Sequence, residues 1–284
     1  KNIVNPYEGT KLMGTFKLDE LKWAGPPDVV VLVGHAFDTE DIFKTQRTGQ
    51  FHRKTVGEII NIIAERNGLK PLVHESVGAI ALAHLGQRAQ SDMSFVEHLA
   101  NKVGAVTKVQ DGNLYFAPLG KMNEISDGKI IVPEVTISRK ELQRYDYTDQ
   151  SRSVYRKVSG RYYDKDEGES GLVPANSEAR FPSDMELSSD LPNAEEAELA
   201  AQSKNDKLKR SQKGFTFTTT NGQPELMAET IVTITDQREG VPDKWLCTHV
   251  THTFEDNGYT TAVTAIIPDD AGDAEAGDAA DDDA

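Results

Sequence analysis

Two consecutive helix–glycine–strand units lie between Thr55 and Pro118, and they constrain the fold more than any other part of the chain. In the first unit, Thr55 and Glu58 have the spacing of a capping box, which predicts that a helix begins here. Apolar residues then recur at helical spacing and form one stripe: Val56, Ile59, Ile60 and Ile63. Gly68 follows at a position where the end of a helix requires a positive φ angle. The segment is therefore predicted to be a helix that packs one face against a core.

The second unit repeats this plan. Ser91 or Asp92 is predicted to begin a helix, and Gly104 is predicted to end it. Its inward-facing stripe consists of Val96, Leu99, Ala100 and Val103. Asp111-Gly112 then predicts a tight turn between two strands, Ala105–Gln110 and Asn113–Pro118. The two units together predict a small α/β scaffold inserted into a larger β protein.

The segment before these units predicts a pair of strands, Lys11–Trp23 and Asp28–Ala36, joined by the turn Ala24-Gly25-Pro26-Pro27. The uninterrupted apolar run from Val29 to Val33 is typical of a strand that is covered on both faces. Because two strands alone do not make a stable sheet, we expect them to pair with something else. Later strands could complete the sheet, or a preceding part of the gene product could.

The remaining segments predict mostly β structure with one long helix. Gln46–Arg53 is interpreted as a polar connector and Val173–Leu191 as irregular. A surface helix is predicted over Pro192–Lys213, with a thin stripe of small residues that suits packing against a sheet. The predicted strands are Ile130–Ile137, Ser153–Tyr163, Gly214–Thr220 and Met227–Thr235, followed by a hairpin of Lys244–Glu255 and Tyr259–Ile267.

Composition excludes several classes of function. The net charge of −15 argues against wrapping a phosphate backbone, since that requires clustered Lys and Arg. About half of this charge lies in an Ala/Gly/Asp-rich C-terminal segment that is predicted to be disordered. The single cysteine, Cys247, excludes an intramolecular disulfide and cysteine-built zinc sites. No apolar run is long enough for a membrane span.

Candidate chemical groups are few, and the sequence predicts no catalytic, cofactor-binding or metal site. His249 and His252 are three residues apart on a predicted strand, which places them on opposite faces and prevents chelation of one ion. Cys247 and His249 would share a face as a possible nucleophile and base, but a small buried thiol is the favoured interpretation. No phosphate-loop, dinucleotide or nucleophile-elbow motif occurs. We therefore do not expect an enzyme.

Two further groups of residues are interpreted as structural. Trp23 and Trp245 each lie in an apolar strand context, so core or interface packing is favoured over ligand binding. A basic cluster precedes the first helix and consists of Arg47, His52, Arg53 and Lys54. Given the overall negative charge, a solvated connector or a subunit contact is favoured over DNA binding.

Four segments in this order carry a resemblance to a known family. They are FKTQRTGQFHRKTVGEIINIIAERNGLKP, AQSDMSFVEHLANKVGAVTKVQDGNLYFAP, SRSVYRKVSGRYYD and KWLCTHVTHTFEDNGYTTAV. Together they resemble the late control D family, the baseplate hub proteins of contractile phage tails, which are related to the hub part of type VI secretion spike proteins. The resemblance extends over roughly Lys11 to Ile267.

The resemblance implies an α+β architecture of two tube-protein-like β-barrel or sandwich domains, a flanking helix and an inserted α/β module. Residues 1–45 would belong to the first tube-like domain, whose N-terminal portion would be absent here. Residues 46–129 would form the inserted module, 130–267 the second tube-like domain and 268–284 a disordered acidic tail. Three such chains would present six similar units to a six-fold tube and hold a three-fold spike on the other side.

The partners implied are two further copies of the chain, the tail tube protein, the tail spike protein and other baseplate proteins. DNA would pass through the channel without specific binding, and acidic residues would line it. The location implied is the baseplate of the virion tail, assembled in the cytoplasm of the bacterial host.

Three alternatives remain at the level of sequence. The first is the hub of a type VI secretion system or another contractile injection system, for which a fused spike β-helix would be expected after the second tube-like domain. The second is a cell-wall hydrolase carried on a baseplate. The third is a β-rich binding module with no role in a tail.

Overall fold

The computed structural model describes residues 13, 16–36, 45–110, 112–125, 134–150, 155–164, 168–176, 183–256 and 258–268. Strands predominate among these residues, so the chain is mostly β. The backbone divides into two compact units, one of residues 1–101 and 105–117 and the other of residues 102–104 and 118–284. Within the described ranges, no helix is both long and apolar enough to cross a membrane.

The first unit begins with an antiparallel pair, β1 (Phe16–Ala24) and β2 (Val29–Ala36). The two helix–glycine–strand units follow, and their elements are β3 (Gln46–Thr55), α1 (Val56–Arg66), β4 (Lys70–Val73), α2 (Glu75–Gly78), β5 (Ala81–Ser91), α3 (Asp92–Val103), β6 (Ala105–Gln110) and β7 (Asn113–Pro118). Strands β3 and β5 form an antiparallel ribbon. Strands β4, β7 and β6 form a three-stranded sheet in that order, with β4 parallel to β7.

Local sequence signals explain why these helices form where they do. The predicted capping box is confirmed, since the Thr55 hydroxyl accepts from the Glu58 amide at 3.2 Å and the Glu58 carboxylate accepts from the Thr55 amide at 2.8 Å. The predicted stripe of α1 is fully buried. Gly68 and Gly104 follow their helices with φ angles of 69° and 71°. The Ser91 hydroxyl accepts from the Ser94 amide at 3.2 Å, so Ser91 caps α3.

The basic segment before α1 was predicted to be a connector, and this prediction is wrong. Residues Gln46–Thr55 form strand β3, which pairs along its length with β5. Phe51 is the only large apolar residue of β3 and is buried against the ring of Phe95. A strand with one apolar anchor gives no alternating pattern, which explains why the sequence did not reveal it.

The second unit contains β8 (Val135–Ser138), β9 (Leu142–Asp149), β10 (Lys157–Asp164), β11 (Glu169–Asn176), β12 (Asp184–Leu191), α4 (Ala194–Arg210), β13 (Lys213–Thr219), β14 (Ile231–Thr235), β15 (Lys244–Glu255) and β16 (Gly258–Ile266). Six of the strands form one sheet in the order β8-β14-β15-β16-β13-β9. Ile137 of β8 and Phe217 of β13 belong to one buried cluster around Trp245, although three strands lie between β8 and β13 in the sheet. The sheet is therefore curled around its core.

A smaller sheet of the second unit has the order β11-β10-β12 and carries helix α4. The predicted thin stripe of α4 is confirmed at Ala197 and Ala201, which are fully buried, whereas Leu208 is half-buried and Ala194 is exposed. Gly160 of β10 allows this close approach, since a Cβ atom there would lie 2.2 Å from the Ala197 carbonyl oxygen. The helix begins at Ala194 with Asn193 as its N-cap, two residues later than predicted.

Two other predictions for this unit need correction. The segment Val173–Leu191 was predicted to be irregular, but it contains the end of β11 and all of β12. Strand β12 lies at a sheet edge, and its apolar alternation covers only Asp184–Leu187 before Ser188, Ser189 and Asp190 interrupt it. The strand predicted over Met227–Thr235 begins only at Ile231, as β14, which lies between β8 and β15 in the sheet. The predicted final hairpin, β15 with β16, is confirmed.

Candidate functional site

The histidines of β15 have separate structural surroundings. His249 is exposed, whereas His252 is half-buried and lies on the other face of the strand. The His252 Nε2–H donates to the Leu226 carbonyl oxygen at 3.0 Å, and its Nδ1 accepts from the Tyr259 hydroxyl at 2.8 Å. The Thr261 hydroxyl lies 3.1 Å from the same Nδ1. His252 therefore fastens the loop around Leu226 to the final hairpin.

Cys247 and His249 were predicted to share a face, and this prediction is wrong. The register of β15 against β16 shifts between these two residues, which places an extra residue, Thr248, between them. As a result the Cys247 side chain points into the core and is fully buried, while His249 is exposed. Burial raises the pKa of the Cys247 thiol to about 12. The thiol is protonated at neutral pH, and His249 does not face it.

A buried carboxylate connects several segments of the first compact unit. Asp92, at the start of α3, is fully buried and its oxygens accept from Arg66 at 3.0 Å, Asn67 at 2.9 Å and Gln87 at 2.9 Å. Arg47 adds a longer contact of 3.5 Å. These donors lie on β5, on β3, and on α1 with the residue that follows it. The Asp92 side chain therefore connects α3 to three other segments. The sequence pattern predicts a helix start at Ser91 or Asp92 but does not reveal these partners.

The predicted basic cluster is divided by the structure. Arg47 reaches the buried Asp92 carboxylate. His52 instead lies on the exposed side of the β3–β5 ribbon, directly opposite His84 of β5. Within the described residues, no group of three or more His, Cys, Asp and Glu side chains is arranged to hold a metal ion.

The largest departure from the predicted fold concerns the hairpin of β1 and β2. The run Val29–Val33 was expected to be covered on both faces, but it is exposed. Trp23 was expected in core or interface packing, and its 76% exposure excludes core packing within the chain. The described strands pair only with each other. By contrast, Trp245 is fully buried, as predicted.

A bulge keeps the large apolar side chains of β1 on one face of this hairpin. Trp23 pairs with Val30 and Leu21 with Leu32, after which the register shifts at Asp19 and Leu18 pairs with Gly34. Without the extra residue, the next apolar residues of β1 would point to the opposite face. With it, one face carries only apolar side chains, which we call the apolar hairpin face: Phe16, Leu18, Leu21, Trp23, Val30 and Leu32.

The opposite face of the hairpin is polar along β1, whereas β2 places Val29, Val31 and Val33 on it. It carries Lys17, Glu20 and Lys22, and Lys22 lies 3.1 Å from Glu20. The Asp19 carboxylate, at the bulge, contacts His35 of β2. Contiguous exposed apolar patches of this kind mark interaction surfaces. The apolar hairpin face is therefore the strongest candidate for a contact surface among the described residues.

Comparison with known proteins relates this architecture to phage tails. A "Probable baseplate hub protein" of Escherichia phage P2 is 27% identical over 288 residues, covering 88% of this chain and 74% of that protein. A solved tail protein from Neisseria meningitidis MC58 has a TM-score of 0.66 at 12% identity, covering 91% of this chain and 81% of that one.

A more distant solved structure is the Escherichia coli c3393 protein, a component of the type VI secretion system. It has a TM-score of 0.52 at 13% identity and covers 88% of this chain and 59% of that one. At such identities the two solved structures show the fold alone. The model of the family described as "Phage tail baseplate hub (GPD)" matches residues 40–258. The match covers well over half of the sequence, and the chain belongs to the phage tail baseplate hub family.

Proposed function

We propose that three copies of this baseplate hub form a ring that joins the six-fold tail tube to the three-fold spike. Family membership carries the proposal, and the apolar hairpin face supports it because such a face favours burial in an assembly. In this arrangement, residues 1–45 and 130–267 belong to two tube-like domains and residues 46–129 to an inserted module. Each chain then presents two similar tube-like domains, so three chains match six tube subunits.

The ring surrounds the channel through which DNA leaves the particle. The net charge of −15 supports this role, because a surface of like charge does not adhere to phosphates. The partners proposed are the tail tube protein, the spike protein and other baseplate proteins. Assembly takes place in the host cytoplasm and the finished hub resides in the virion baseplate. The role is structural, and no reaction is assigned to the chain.

Light scattering of the purified chain, alone and mixed with the spike protein of the same phage, tests this proposal. The expected result is a species of three chains, with a mass of about 94 kDa for three copies of 31.2 kDa, in at least the mixed sample. A chain that remains a monomer in both samples would count against a trimeric hub.

A zymogram on bacterial cell wall, run on the same preparation, would reveal a hydrolase by a lytic band.

A hub of a contractile injection system is the second candidate, favoured by the fold similarity to the type VI secretion component. The two assignments differ in where the protein is found. Antibodies against the chain should label purified phage particles if it serves a phage tail. Labelling of secretion structures without phage particles would favour the second candidate.

A further inference from the structure

Two histidine rings face each other on the exposed side of the β3–β5 ribbon. His52 and His84 are direct partners in the antiparallel register. Their Nδ1 atoms lie 3.2 Å apart while the ring centroids are 4.6 Å apart, so the rings approach each other through these nitrogens. Both side chains are exposed, so water and dissolved ions reach them.

A third residue sets the proton arrangement of one ring. The Gln50 Oε1 lies 3.0 Å from the His52 Nε2, and an amide oxygen only accepts, so the proton of neutral His52 is on Nε2. The His52 Nδ1 therefore presents a lone pair toward the His84 Nδ1. Histidines that bind metals have this arrangement, with the distant ring nitrogen donating to a neighbouring oxygen.

We propose that His52 and His84 form a binding site for a divalent transition-metal ion, with both Nδ1 atoms as ligands and Gln50 as the residue that orients His52. Two nitrogen ligands that each lie about 2.05 Å from one tetrahedral zinc ion are about 3.3 Å apart. The two Nδ1 atoms are 3.2 Å apart, close to this separation. Water completes the coordination, because the described residues place no third side-chain ligand here. The ion joins two neighbouring strands and therefore stabilises their pairing.

The ligand atoms of the ribbon select the class of ion. Strands β3 and β5 contain no Asp or Glu. The absence of carboxylates disfavours Mg²⁺ and Ca²⁺, which prefer oxygen ligands. Imidazole nitrogens suit Zn²⁺, Ni²⁺ and Cu²⁺. The site is independent of the proposed role in the baseplate.

Isothermal titration of the whole chain with ZnCl₂ tests the site. We expect His52→Ala and His84→Ala each to weaken zinc binding by at least tenfold and Gln50→Ala to weaken it by about tenfold. The matched control is His98→Ala, which removes an exposed histidine of α3 and should leave the affinity unchanged. MgCl₂ should give no comparable heat.

Thermal unfolding provides a second readout on the same proteins. Zinc should raise the unfolding midpoint of the unsubstituted chain and of His98→Ala, since it binds the folded arrangement. The rise should be lost in either β3–β5 histidine variant. Equal zinc affinity and equal thermal shift in the unsubstituted chain, His98→Ala and both β3–β5 histidine variants would overturn the proposal. The absence of any zinc response in the unsubstituted chain would overturn it too.

Discussion

At the scale of single residues, Asp92 shows how one side chain connects segments that are far apart in sequence. Its carboxylate is fully buried and is held by Arg66, Asn67 and Gln87. A buried charge is costly unless it is paired and hydrogen-bonded, and here donors meet both oxygens. Position 92 therefore contributes to the stability of the first unit through polar contacts and not through apolar packing.

Replacing this carboxylate should destabilise the fold. We expect Asp92→Ala to lower the free energy of unfolding by about 2–4 kcal/mol, because it leaves three donors without their acceptor. Glu97→Ala, an exposed change on the same helix, should alter it by no more than about 0.5 kcal/mol. Urea unfolding followed by circular dichroism measures both. Equal stability of the two variants would show that the network contributes nothing.

The buried thiol of Cys247 makes a prediction about pH. Its pKa is raised by burial from an ordinary 9.0 to about 12, so the unfolded chain loses this proton before the folded one does. The folded state is unaffected by this group below pH 9 and is progressively penalised between pH 9 and pH 12, by about 1.4 kcal/mol per pH unit. We expect Cys247→Ala to have a lower free energy of unfolding than the unsubstituted chain at pH 8. This difference should become smaller as the pH rises from 8 to 10.5.

Unfolding by urea at several pH values measures this difference. Comparing the two proteins at each pH cancels the titration of Lys and Tyr, which they share. A difference that stays constant from pH 8 to pH 10.5 would contradict a buried, protonated thiol.

At the scale of elements, signals confined to neighbouring residues predicted the structure well. The capping box at Thr55, the glycines that end α1 and α3, and the hairpin of β15 and β16 all follow from short patterns. Strands β3 and β12 were missed because apolar alternation is absent from β3 and covers only four residues of β12. Their partner strands also lie far along the chain. The bulges at Asp19 and Thr248 were also not predictable, since register depends on the partner strand.

The contact between α4 and β10 gives a prediction about packing. Gly160→Ala should lower the free energy of unfolding by about 1–3 kcal/mol, because its Cβ would collide with the Ala197 backbone unless the helix moves. Gly214→Ala is the matched control in β13, where a Cβ meets no atom within 4 Å. Thermal or urea unfolding distinguishes them. If Gly214→Ala lowered the free energy of unfolding as much as Gly160→Ala, the loss would come from replacing any strand glycine and not from the contact with α4.

At the scale of the whole molecule, the sequence resemblance identified the family, while the candidate contact surface required the structure. The segments that carry the resemblance lie within or beside the residues that the family model matches. Sequence analysis placed Trp23 in packing or in an interface but expected Val29–Val33 to be covered. The pairing register of β1 and β2 was needed to show that six apolar side chains share one exposed face.

Substitutions on the two faces of this hairpin should separate assembly from stability. We expect Trp23→Ser combined with Leu32→Ser to reduce formation of the three-chain species at least tenfold, because both residues lie on the apolar hairpin face. Lys17→Ser combined with Lys22→Ser, on the other face, should assemble normally. Light scattering with the spike protein present measures the outcome. Unimpaired assembly of the first variant would remove this face from the interface.

The most direct test of the central claim is electron cryomicroscopy of purified particles of the phage that encodes this chain. The account predicts density for three copies around the tail axis, between the last six-fold ring of the tube and the three-fold spike, with DNA or an open channel at the centre. Six copies at that level, or copies located only at the periphery of the baseplate, would contradict it.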